Sequence, residues 1–229
     1  EIKEAIEKGA DVNTFNEQES WKTVLMYASI QNNSDVVKLL IDKGANINQE
    51  TAYSNTALDY AISHNNIENM KVLINCGAEV NPENLYDSPL YTAIINKSKI
   101  KTVNTLINMG ANINVRNKDG NNLLLEAIKN NNIEIANLLL KLEIDKNNIY
   151  QRDKEGKTAL IYAIENNNFN IIKELVKKGA SINARDKDGN TVLMHAMKNN
   201  VNYEIANFIL ENGADINANI IDGKTAIID

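Results

Sequence analysis

The sequence predicts an all-α solenoid of stacked helix pairs, and two markers that recur in step with each other predict it. The first is a Gly-Ala-x-Ile/Val-Asn cassette at Gly9–Asn13, Gly44–Asn48, Gly77–Asn81, Gly110–Asn114, Gly179–Asn183 and Gly213–Asn217, with a worn copy at Glu143–Asn147. Successive copies begin 35, 33, 33, 33, 36 and 34 residues apart. The second marker is Thr-x-Leu-x-x-Ala or a near variant, at Thr23–Ala28, Thr56–Ala61, Ser88–Ala93, Asn122–Ala127, Thr158–Ala163 and Thr191–Ala196, and it begins again at Thr225. A fixed period in this range means that each unit buries its apolar face against its neighbours.

Each element of the unit has a local cause. The Thr or Ser of the second marker stands where an N-cap belongs, its hydroxyl able to accept an orphan backbone N–H. Leu160, Ala163 and Ile164 then follow at i, i+3 and i+4, one apolar stripe of a short helix. An Asn-rich break, Asn166-Asn167-Asn168, comes next, and Asn tolerates the left-handed conformation that stops a helix. Ile171, Ile172, Leu175 and Val176 mark one face of a second helix, which Gly179 ends as a C′ residue. Asp186-Lys187-Asp188-Gly189 gives a tight turn before the next Thr.

These residues resemble the repeats of ankyrin-repeat proteins, whose unit is a β-turn plus two helices with a Thr-Pro-Leu-His-x-Ala signature. The resemblance covers essentially the whole chain. It implies a partial unit over residues 1–13 (second helix only), six complete repeats over 14–217 and the start of a further repeat over 218–229. The departures are local. The signature Pro survives only at Pro89, and the signature His is replaced by Met26, Asp59, Tyr91, Leu125, Ile161 and Met194. Ile2, Ile6, Ile227 and Ile228 would leave the ends of the stack uncapped, so the chain is expected to be a piece of a longer array. A monomer is expected unless those raw ends stack.

Composition narrows the function classes. A net charge of −6 and a pI near 5.1 disfavour nucleic-acid binding, and 5 % aromatic residues leave few rings for a base-stacking platform. No apolar run approaches the roughly 18 residues that span a bilayer. A single Cys76 excludes an internal disulfide and points to a reducing, cytoplasmic compartment. No nucleophile–base pair stands out, and His and Cys together number three, too few for a metal site of fixed spacing. An enzyme is not expected, nor any cofactor. His195 aligns with Tyr27, Tyr60 and Tyr162 at a half-buried packing position, while His64 ends a first helix and faces outward. The repeated cassette Asn is read as a local turn-former, and Asp186 and Asp188 as solvated turn tips.

The resemblance further implies protein binding through a concave face lined by turn tips and first helices. Repeats four to six carry regular tips, Lys118-Asp119-Gly120, Lys154-Glu155-Gly156 and Lys187-Asp188-Gly189. The first three do not: Glu19-Ser20-Trp21, Ala52-Tyr53-Ser54 and Leu85-Tyr86-Asp87 stand there instead. Trp21 and Tyr86 replace the turn Gly, so their tips are expected to take another turn shape. Trp21, Tyr53 and Tyr86, with Ile30 and Ile95 at the outer ends of first helices, are the candidate partner-binding residues, arranged as one apolar strip. The alternative is that the rings fold back onto a neighbouring repeat. At the level of the whole protein, the alternatives are a recognition segment of a larger enzyme or channel, or a host-directed effector that mimics ankyrin scaffolds.

Overall fold

The structure, a computed structural model, describes residues 4–5, 8–82, 88–142 and 147–219. Among the described residues, each marker from Thr23 to Thr191 opens a seven-residue helix that pairs with a nine-residue one, and the marker at Thr225 lies outside them. The pairs are α1 (Val24–Ile30) with α2 (Ser34–Asp42), α3 (Ala57–Ser63) with α4 (Ile67–Asn75), and α5 (Pro89–Ile95) with α6 (Ile100–Asn108). They continue as α7 (Leu123–Lys129) with α8 (Ile133–Lys141), then a single turn α9 (Asn147–Tyr150). The last two are α10 (Ala159–Glu165) with α11 (Phe169–Lys177) and α12 (Val192–Lys198) with α13 (Tyr203–Glu211). The fold is an ankyrin-repeat solenoid.

The capping chemistry is as the sequence requires. Thr23, Thr56, Ser88, Thr158 and Thr191 each accept the N3 amide with the side-chain oxygen, and Asn122 does so with its amide oxygen at 2.8 Å from Leu125 N. First helices stop on left-handed residues at Asn65, Asn131, Asn167 and Asn200 (φ 51–54°), and on Lys97 (φ 54°). The first pair stops differently, with Gln31 leaving α1 in an extended conformation. Gly179 (φ 96°) ends α11, and the following Ala180 N–H donates back to Leu175 O at 2.9 Å.

The chain divides into two compact units, residues 1–113 and 114–229. In the first, α1 packs on α3 and α3 on α5, while α2 packs on α4 and α4 on α6. Fully buried Leu25, Leu58, Ile62, Leu73, Leu90 and Leu106 fill the space between the two helix layers. In the second, α7, α10 and α12 pack in the same way, with α8 against α11. Leu125, Leu160, Ile164, Ile172 and Leu175 are their buried counterparts.

The cassette Asn joins repeats, correcting its expected role as a local turn-former. Asn48 Nδ2 donates to Gly77 O at 3.2 Å, and Asn48 Oδ1 accepts from Glu79 N at 3.0 Å. Asn13 grips Gly44 and Asn46 in the same way, Asn81 grips Gly110 and Asn112, and Asn183 grips Gly213 and Asp215. Each side chain thus satisfies one carbonyl and one amide of the following cassette. Asn183→Ala removes two such bonds, so its urea midpoint should fall by an amount equivalent to about 1–2 kcal/mol.

Candidate functional site

Loops between cassette and first helix form fingers, and one side chain organises most of them. Asp186 Oδ1 accepts from the Asp188 and Asn190 amides at 3.0 and 2.9 Å. Asp153 takes the Glu155 and Lys157 amides, Asn117 those of Asp119 and Asn121, and Thr51 Oγ1 those of Tyr53 and Asn55. Asp186 is therefore buried and holds its loop closed, not the solvated tip expected of it, whereas Asp188 is exposed as expected. The reason is geometric: a turn that aims successive amides inward needs an acceptor at its start.

The first finger has a different build. Strand β1 (Phe15–Asn16) pairs antiparallel with β2 (Lys22–Thr23), Phe15 opposite Thr23, around a 3-10 turn at Glu17–Glu19. Ser20 and Trp21 then both take left-handed backbone, at φ 60° and 67°. The turn changes shape at Trp21 as expected, its N–H closing on Asn16 O where the Gly156 and Gly189 N–H groups close on the third residue back. Trp21 nevertheless keeps the left-handed backbone of Gly156 (φ 73°) at the equivalent position. The Trp21 N–H, donated to Asn16 O at 2.9 Å, closes the hairpin and holds the residue there. An L-residue in this conformation costs about 1–2 kcal/mol.

The rings do not fold back. Trp21 is 53 % exposed and Tyr53 76 % exposed. Their tips are adjacent, since Ser20 O accepts the Ala52 N–H at 3.0 Å. Ile95 is exposed and Ile30 half-buried, but Ser63 occupies the same place on the intervening first helix. The single apolar strip is therefore interrupted. Tyr86 lies outside the described residues. Phe15, outside the tip triad and so without a signal in the repeat pattern, is also 56 % exposed on the first finger.

Inside the fingers of this unit, the Lys22 ammonium sits 5.2 Å from the centroids of both Tyr27 and Tyr60 and 3.1 Å from Glu19 Oε2. The neighbouring Tyr27 hydroxyl and the bound Lys22 ammonium hold the Glu19 carboxyl below its ordinary pKa.

The second unit fills the same positions with a closed polar network. Tyr162 OH donates to Asp153 Oδ2 at 2.5 Å, with Lys129 3.6 Å from the same oxygen. Burial pushes the Asp153 carboxyl up, but bonds from Tyr162 and the Lys157 amide outweigh it and hold its pKa below the ordinary value. Burial and the Asp153 hydrogen bond together drive the Tyr162 phenol far upward. One repeat on, His195 is buried where a half-buried packing position was expected, and it bridges two carboxylates, with Nε2 3.0 Å from Asp186 and Nδ1 3.0 Å from Glu165 of the preceding repeat. Lys157 reaches Glu165 at 2.6 Å. The tips are paired too, with Lys154 on Asp119 and the Lys187 N–H on Glu155 O at 2.9 Å. These charges answer one another, whereas the aromatic tips of the first unit stand free.

His64 caps α3 and is exposed, and Cys76 is an exposed thiol. Among the described residues, no helix is long and apolar enough to cross a membrane and no group of three His, Cys, Asp or Glu could hold a metal ion.

Comparison with known proteins agrees with this architecture. A family model described as ankyrin repeats (3 copies) matches residues 2–84 and 145–220, and one described as ankyrin repeats (many copies) matches 90–140. Among solved structures, the ankyrin repeat domain of Bcl-3, a member of the IkappaB protein family, superposes with a TM-score of 0.73 at 24 % identity, covering 90 % of this chain and 92 % of that one. The human ASB11 ankyrin repeat domain does so with a TM-score of 0.71 at 26 % identity, covering 90 % of each. None of the curated proteins matches the chain. With the family models matching well over half of its residues, the chain belongs to the ankyrin-repeat family.

Proposed function

We propose that the chain is a non-enzymatic scaffold that binds a partner protein through the finger tips and first helices of its opening repeats. Ankyrin repeats are protein–protein interaction modules, and the finer assignment rests on one observation. Trp21 keeps a half-exposed indole on a left-handed residue, at the place where later repeats use Gly. Backbone strain that is not repaid by burial of its own side chain points to a use outside the fold. Tyr53 on the adjacent tip extends the aromatic surface, and Trp and Tyr are the residue types that dominate binding hot spots. Ile30 and Ile95 complete the proposed set at its margin, and Tyr86 belongs to it on its sequence position alone.

The test is affinity capture from native lysate with wild type and the Trp21→Gly/Tyr53→Ala variant side by side. A partner held by the wild type and lost from the variant supports the reading. Equal capture by both would remove these fingers from the interface.

A further inference from the structure

We propose that the partner segment seated on the first two fingers is basic, an extended stretch whose Arg or Lys side chains stack on Trp21 and Tyr53. This rests on the preceding reading of where the partner binds and adds its chemistry. Over residues 8–82 the chain carries nine carboxylates against five lysines and no arginine, a net charge of 5 − 9 = −4 that favours a basic partner. On the two finger loops, residues 14–22 and 49–55, the acidic residues are Glu17, Glu19 and Glu50, all exposed, and the only cation is Lys22.

Lys22 is already committed: its ammonium is bound to Glu19 and lies between the Tyr27 and Tyr60 rings. It shows what this face accepts, a cation held over aromatic rings with a carboxylate beside it. Trp21 and Tyr53 are exposed rings on the same two finger loops that carry Glu17 and Glu50, with no cation over them among the described residues. Glu17 and Glu50 carry no ion pair among the described residues, so the carboxylate half of the arrangement is free as well. A guanidinium or ammonium over an indole is attracted by the ring quadrupole, most strongly at Trp, and neighbouring carboxylates add to the attraction. An apolar segment would leave Glu17 and Glu50 beside it with nothing to pair with, and an acidic one would be repelled.

Trp21 is the sole tryptophan, so its emission reports the site directly. Wild-type protein is titrated with a short Arg-Gly-Ser repeat peptide, its Glu counterpart and its Leu counterpart, at low and high salt. The expected result is a saturable change with the Arg peptide alone, weaker at high salt and about tenfold weaker in the Glu17→Gln/Glu50→Gln variant. The Arg peptide should also release the captured partner. The proposal is overturned if the Arg peptide gives no saturable change, if the Glu peptide matches it, or if the Leu peptide binds more tightly. Should any of these occur while capture still depends on Trp21 and Tyr53, the basic chemistry fails and the site reading stands. Capture independent of those residues removes the site itself.

Discussion

Gly156→Ala is expected to lose about 3 kcal/mol of stability, read as a lower urea midpoint, from the left-handed penalty and overpacking together. Gly156 has φ 73°, and a Cβ built there would lie 2.6 Å from Lys187 N and 3.0 Å from the Asp186 carbonyl carbon. Both are backbone atoms of the next finger, so no side chain can swing aside to make room. The methyl would push apart two tips that the Lys187 N–H and Glu155 O hold together. Gly120 is the internal control. It has φ 80° with nothing within 4 Å of its would-be Cβ, so Gly120→Ala should cost only the conformational part, about 1–2 kcal/mol. Equal losses at the two positions would mean that the fifth and sixth fingers are not in backbone contact.

His195→Ala is expected to lose roughly 2–3 kcal/mol, the cost of leaving partly buried carboxylate oxygens without their hydrogen-bond partner. The substitution leaves Asp186 Oδ2 with the Asn190 side chain alone and Glu165 with Lys157 alone, both facing a void. His195→Tyr should recover most of the loss. The equivalent Tyr162 donates its hydroxyl to Asp153, and Asp186 offers the same acceptor. A Tyr variant as unstable as the Ala variant would show that the imidazole is needed for its link to Glu165.

The pH dependence follows from Asp186 and Asp153. Burial raises the Asp186 pKa, but bonds from the Asn190 side chain and backbone and from His195 lower it further, leaving it below 3.8. A depressed carboxylate contributes stability that is present above the unfolded value and lost as pH falls through the folded one. Acid unfolding of the wild type should therefore set in below about pH 3.8, and that of His195→Ala at a higher pH.

The frame of the molecule was legible because its causes are local. Thr158 caps, Asn167 stops and Gly179 terminates through atoms within a few residues of themselves, and periodicity placed Leu160 and Ile164 in the core. What was missed acts across repeats. Asn48 looks like a turn residue until its partners appear about thirty positions downstream at Gly77 and Glu79. Asp186 and Asp188 are the same residue type two positions apart, and only the fold shows that the first points in and the second out. Trp21 was legible as an anomaly, but its left-handed backbone was not, since that is imposed by the hairpin around it. The regular cassette thus marks the scaffold, and recognition is assigned to the tips that depart from it.

The most direct measurement of that assignment is the partner affinity of Trp21→Gly set against its urea midpoint. Glycine at this position relieves the left-handed strain and removes the indole, so affinity should fall by at least about tenfold while the midpoint does not fall. A ring packed as part of the core would instead take about 3 kcal/mol of stability with it. Retained affinity with a lowered midpoint would contradict the account and make Trp21 a structural residue.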